Sequence, residues 1–406
     1  MTSSLWNRSF VIWLLGAAQS QFGTALAGIA LSFLVLHQTG SARQMALTLA
    51  CSLIPNLLMP FAGVLVDRFP LKWPLIGADL LRGALQLTVG GLALAWGDVP
   101  LWAINLAALL TGLAGAFAGP ASNAAVPTLV PAEALGRANG LLGSVGRGAW
   151  LLGTLAGGAV VAQWSPAAAI VADGLSFLLM AALMGWVRLP REVGTPGAPL
   201  DLIGDLRGGL QVMGRSRLLV LAPIIALLLN ASLAPVTAIL PKLFSSIGAQ
   251  ATGYATFLAL ESLGMLLAGA ATVAFGPRFD PQKVIAAGLV LTSLTYAVLW
   301  ALPQVAVLWT GAALLGFGFG LINIPFQTLL QQLVPQQFLG RVFSVLGMVS
   351  GLGMPLTLLL VSPILDRLPL GLWFAFAALA QGTGGLVWLW AIRAAPRPLP
   401  EVAPAS

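Results

Sequence analysis

Two residue types are nearly missing from this chain. A single cysteine, Cys51, excludes any disulfide within the chain, and with a single histidine, His37, it excludes a Cys/His metal cluster. His37 falls at the outer end of the first apolar run, whereas an intramembrane Ser–His hydrolase would need its histidine inside a cavity. Charge is also scarce. Charged residues make up 8% of the sequence, against about 25% in a soluble domain. No Gly-Lys-Ser/Thr phosphate loop is present, so ATP is not the direct energy source. The first apolar run is too long for a cleavable signal peptide and continues into a span.

What is abundant is apolar residues, at 58%, with a mean hydropathy of +0.95. Apolar runs of about 20 residues, the length that crosses a bilayer, recur along the chain. The fold class read from this is an all-α, multi-pass membrane protein. The net charge of +7 does not point to nucleic acid, because the bases fall in short loops on alternate sides of the spans. With the amino terminus inside, 14 of the 19 bases are cytoplasmic. Three (Arg43, Lys242, Arg367) are outside, and Arg82 and Arg147 lie within spans. That asymmetry is the positive-inside pattern and places both termini in the cytoplasm.

A repeat organises the chain. Leu129-Val130-Pro131 with Leu135-Gly136-Arg137 returns 204 residues later as Leu333-Val334-Pro335 with Leu339-Gly340-Arg341. Each copy separates two apolar runs, so the chain reads as two homologous halves. The expected plan is twelve spans in two six-helix bundles, 1–188 and 218–394. A linker at 189–217 carries a short amphipathic helix near 201–214 on the inner surface, and the Pro-rich tail 395–406 is expected to be disordered. Pro55 and Pro60 are expected to kink the second span, and Gly112, Gly115 and Gly119 suit tight packing of the fourth. Nine tryptophans (Trp6, Trp73, Trp96, Trp102, Trp164, Trp186, Trp300, Trp309, Trp373) fall near span ends, as an aromatic belt does.

The loop after the second span reads Gly63-x-Leu65-x-Asp67-Arg68 with Lys72 nearby, followed by Asp79-x-x-Arg82. This resembles the loop motif of the major facilitator superfamily. The later Asp79/Arg82 pair, Ser20-Gln21-x-Gly23, Thr39-Gly40-Ser41, Arg137-Ala138-Asn139 and Gly340-Arg341-Val342 resemble the macrolide-efflux and enterobactin-export branch, the third drug–proton antiporter family. The resemblance spans nearly the whole chain. It implies efflux of an amphiphilic small molecule (a drug, a macrolide-like compound or a siderophore) by alternating access in the cytoplasmic membrane. The partners implied are protons and lipid, with no cofactor, metal or nucleic acid and with the chain acting as a monomer. It also implies that Asp67 latches onto the amino end of the eleventh span near Gly340 and Arg341, where helix N-termini are partially positive. A plain topogenic loop is the alternative. Gly63 would let a neighbouring helix come close, and Asp79 and Arg82, three apart, can pair on one face. The antiporter motif departs at Gly153-Thr154, where the superfamily has Gly-Pro, while Gly157-Gly158 fit. This removes a proline kink and leaves export against uptake open.

Proton coupling needs a carboxylate inside the bundle. Glu261, roughly 15 Å into its span, is the first candidate, and Asp173 and Asp79 are the others. A fixed polar contact is the alternative for Glu261, and packing for Asp173. Arg147 lies at nearly the depth of Glu261, so the two are expected to pair. Gln19, Gln21, Trp150, Asn230, Asn323 and Gln327 are the candidate cavity residues, with helix–helix hydrogen bonding as the alternative for Gln19 and Gln21. A lipid mover or a non-pumping scaffold of the same fold is the competing function.

Overall fold

A computed structural model describes residues 5–66, 69–189, 210–214, 217–275, 278–334 and 338–393. They are helical almost throughout, with no strand among them. The helices are α1 (Arg8–Thr39), α2 (Ala42–Leu53), α3 (Met59–Val66), α4 (Lys72–Trp96), α5 (Leu101–Leu129), α6 (Leu135–Gln163) and α7 (Pro166–Trp186). There follow α8 (Arg217–Ser246), α9 (Gln250–Phe275), α10 (Pro281–Ala301), α11 (Val305–Leu333), α12 (Leu339–Leu365) and α13 (Leu372–Arg393). Among the described residues, ten helices are long and apolar enough to cross a bilayer. The second expected span is broken by a 3₁₀ turn at Ile54–Leu58 that holds Pro55, so α2 and α3 are each too short alone. The charges of Asp79 and Arg82 sit in α4, which is not among the ten.

Local chemistry sets the helix ends. Asn7, Ser41, Ser165 and Asp280 cap α1, α2, α7 and α10 by accepting backbone N–H bonds. Gly40, at φ +62°, takes the left-handed turn that closes α1. Both copies of the repeat do the same job. Leu129 ends α5 and Leu135 opens α6, while Leu333 ends α11 and Leu339 opens α12.

The chain forms two compact units. The first holds Met1–Leu200 with Thr237–Ala259 and Leu358–Leu368. The second holds Asp201–Val236, Leu260–Thr357 and Pro369–Ser406. In the first, α1 packs on α6 and α7, and α4 on α5 and α7. Glycine makes these approaches possible. A Cβ on Gly153 or Gly157 would strike the α1 backbone at Phe22 or Leu26, and one on Gly112 would strike the carbonyl of Ser52. In the second unit α10 packs on α11 and α13.

Of the belt tryptophans, Trp6, Trp73, Trp96, Trp102, Trp164, Trp186 and Trp300 are exposed. Trp373 departs from expectation and is buried beside Phe376. The expected amphipathic helix lies mostly outside the described residues. Within it 210–213 are helical, with Val212 and Met213 buried. The tail expected to be disordered also lies outside them.

Candidate functional site

The first unit holds a cavity of about 620 Å³ lined by α1, the broken second span, α4, α5, α6 and α7. Its wall carries Ser20, Gln21, Asn56, Asp79, Arg82 and Asn123. Asp79 and Arg82, one helical turn apart on α4, form an ion pair with Nη1 and Oδ1 3.7 Å apart. The guanidinium lies 5.3 Å from the centre of the Phe177 ring. Gly115 leaves it room, because a Cβ there would collide with Nη2. Arg82 Nε is buried without a hydrogen-bond partner, a polar group that costs stability where it stands.

On the facing side of α4, Asp173 of α7 is 1% exposed. It accepts hydrogen bonds from Gln86 Nε2 (2.9 Å) and Ser176 Oγ (3.3 Å). Gln19 Nε2 donates to the carbonyl of Ser176 at 2.8 Å and thereby ties α1 to α7. Of the two readings open for the glutamines, Gln19 takes the interhelical bond and Gln21 the cavity wall. A second cavity of about 430 Å³ adjoins this network. Trp150, Thr154, Gln86, Asp173 and Tyr254 line it. Thr154 replaces the kink of a proline with an unbroken helix and donates its hydroxyl to the Trp150 carbonyl at 2.8 Å.

The second unit holds a cavity of about 480 Å³ with a different wall. Met265, Phe319, Phe326 and Trp388 supply apolar surface, and Asn230, Asn323 and Gln327 the polar groups. Asn230 and Asn323 donate their amide nitrogens back to their own helices, to Ala226 (2.8 Å) and Phe319 (2.9 Å). Glu261 lies half-buried on α9. Its backbone rests against Gly316 of α11 so closely that no Cβ fits at that glycine. Among the described residues of its own unit, its side chain makes no hydrogen bond. Arg147 belongs to the first unit and Glu261 to the second.

The motif loop divides. Asp67 and Arg68 lie outside the described residues. Gly63 faces Pro120 at an ordinary contact distance of 3.7 Å from its would-be Cβ, so close approach does not require a glycine there. Lys72 turns to α7 and donates to the carbonyls of Gly185 (3.0 Å) and Val187 (3.2 Å), a cation at a helix C-terminus. Gly340 and Arg341 open α12, with their side chains outside the description.

A cluster missed in the sequence gathers at one end of the first unit. Asp366, just beyond α12, accepts from Ser41 Oγ (2.5 Å), from the backbone N–H groups of Ala42 (2.9 Å) and Arg43 (3.1 Å), and from Lys242 Nζ (2.7 Å). It thus caps α2 from more than 300 positions away in the chain. Burial alone would raise its pKa, but the bonds from Lys242, Ser41, Arg43 and Ala42 outweigh it and hold the carboxyl at about 2, below the ordinary value of about 3.9. Gln86 was also missed, although its spacing from Asp79 and Arg82 puts all three on one helical face.

Comparison with known proteins follows the same lines. The family model described as Major Facilitator Superfamily matches residues 13–357. Macrolide efflux protein A of Streptococcus pyogenes is 26% identical over 381 residues, 91% of this chain and 92% of that one. Multidrug efflux pump Tap of Mycobacterium tuberculosis is 29% identical over 384 residues, 90% of this chain and 89% of the pump. Among solved structures, a bacterial homologue of the iron transporter ferroportin in its inward-facing state superposes with a TM-score of 0.73 at 19% identity, covering 95% of this chain and 98% of that one.

Proposed function

The chain belongs to the major facilitator superfamily, and from that premise we propose that it exports an amphiphilic small molecule in exchange for protons. It is a transporter and not an enzyme. The observation that carries the reading is the likeness to two efflux pumps over about nine-tenths of both chains. Three cavities of 430–620 Å³ add to it, since they fall in the range of drug-sized sites. In this reading the chain crosses the cytoplasmic membrane twelve times in two six-helix bundles, 1–188 and 218–394, with both termini inside. The broken second span and the charged α4 supply the two crossings beyond the ten apolar helices.

Glu261 is the proposed proton carrier. A carboxylate in a span whose side chain has no hydrogen-bond partner among the described residues of its unit is free to exchange its proton, and intramembrane acids mark such relays. Arg147 is its proposed counter-charge during part of the cycle. Asp79 and Asp173, each already held by neighbours, shape the first and the second cavity respectively. Asn230, Asn323 and Gln327 supply the few polar contacts that orient an otherwise apolar substrate.

Expression in a bacterial host stripped of its own pumps tests the function. Cells should accumulate less of at least one macrolide or amphiphilic dye, and a protonophore should restore accumulation. Unchanged accumulation across the panel, or export indifferent to the protonophore, would overturn the proposal.

A further inference from the structure

The three bases Arg8, Lys72 and Arg188 meet at one end of the first unit, away from the cavities above. A hydrogen-bond chain links them, for the Arg188 N–H donates to Ser9 Oγ at 3.2 Å, and Lys72 Nζ donates to the carbonyl of Val187, the neighbour of Arg188, at 3.2 Å. All three line a pocket of about 1040 Å³, and among the described residues no carboxylate lines it. Among the described residues none of the three makes an ion pair.

The helix ends sharpen the imbalance. Arg8 is the first residue of α1 and Lys72 the first of α4, and neither helix has an acid in its first turn. No side chain caps α4. Cations therefore sit at the partially positive ends of two helices, where an anion is the favoured occupant. Trp73 and Trp186 flank the pocket and are 69% and 61% exposed. Exposed indoles beside a basic site mark the level of lipid headgroups.

We propose that this pocket binds the phosphate headgroup of an anionic phospholipid, in the leaflet facing the termini. Basic pockets between spans on the cytoplasmic side take such headgroups. A lipid fits better than free phosphate, because the volume equals that of about thirty-five waters and the flanking surface is aromatic. Arg8 and Arg188 would meet the phosphate, while Lys72 keeps two donors on α7 and offers the third. The site is independent of what is exported.

The test is lipid binding to the purified full-length protein in detergent, followed by native mass spectrometry and thermal unfolding. Phosphatidylglycerol should bind and raise the melting temperature, and phosphatidylcholine should do neither. The Arg8→Gln/Arg188→Gln double variant should bind phosphatidylglycerol about thirtyfold more weakly, at about 1 kcal/mol for each base near the surface. It should melt like the wild type when no lipid is added. The charge-keeping Arg8→Lys/Arg188→Lys variant should restore most of the binding, and Arg393→Gln, on another helix end, should change nothing. Equal binding of the two lipids, or a double variant that binds like the wild type, would overturn the proposal. Glycerol phosphate binding as tightly as the lipid would also overturn it, by making this a site for soluble phosphate.

Discussion

The carboxylates within the helices of the two units differ in what holds them. Asp79 has Arg82, and Asp173 has Gln86 and Ser176. Glu261 has a glycine-tight backbone contact but, among the described residues of its unit, no side-chain hydrogen bond. A carboxylate whose oxygens are filled by neighbours fixes the helices that supply them. One that lacks such partners contributes little to the fold and remains available to a proton. Asp173 and Glu261 look alike in the sequence, since each stands alone in an apolar run, but only Asp173 is held by neighbouring side chains.

The largest structural effect should come from removing a strut. Asp173→Ala leaves Gln86 and Ser176 without their acceptor in an apolar interior, and each orphaned group costs about 1–3 kcal/mol. Unfolding in detergent should show a loss of at least about 2 kcal/mol on that basis, whereas Glu261→Gln should stay within about 0.5 kcal/mol, as substitutions away from such networks do. Equal losses would erase the distinction. Gly316→Ala comes next. It forces a methyl against the Glu261 backbone and should cost about 1–3 kcal/mol as overpacking, with transport falling alongside stability.

A smaller effect is expected at the Asp366 cluster. The folded pKa of Asp366 is depressed to about 2, so its contribution is complete above about pH 4 and is lost as pH falls from there toward 2. Asp366→Asn should remove about 1 kcal/mol, the scale of a charged helix cap with a half-exposed ion pair. Spin labels on α2 and α12 in a Cys51→Ser background should report more opening in the variant at pH 7. The wild type at pH 7 should match the same protein at pH 5. The smallest effect should be Asn230→Leu, which alters one polar group of an uncharged cavity. It should move KM by about two- to tenfold for one substrate relative to another and leave proton coupling intact.

Much of this was legible in the sequence because it is local. The spans follow from apolar runs, the break in the second from Pro55, and the Asp79–Arg82 pair from a spacing of three. The tight packing at Gly112 follows from the stripe that it begins. What escaped depends on partners far apart in the chain. Nothing near Asp366 announces Ser41, and nothing near Lys72 announces the last turn of α7. Gly63 was read through the motif as a close-approach glycine, yet a Cβ there would meet Pro120 only at an ordinary contact distance. Trp373 was read as belt because it lies at a span end, and packing against Phe376 took it inside. Gln86 is the exception, since its turn spacing from Asp79 and Arg82 was available and went unused.

The difference between tied and untied carboxylates is tested most directly by proton movement. Wild type and the Glu261→Gln and Asp173→Asn variants would be reconstituted in vesicles loaded with a pH-sensitive dye, and the exported amphiphile added on one side. Substrate-driven proton flux should appear with the wild type, persist in Asp173→Asn in proportion to folded protein, and vanish in Glu261→Gln while substrate-for-substrate exchange continues. Undiminished proton flux through Glu261→Gln would contradict the account.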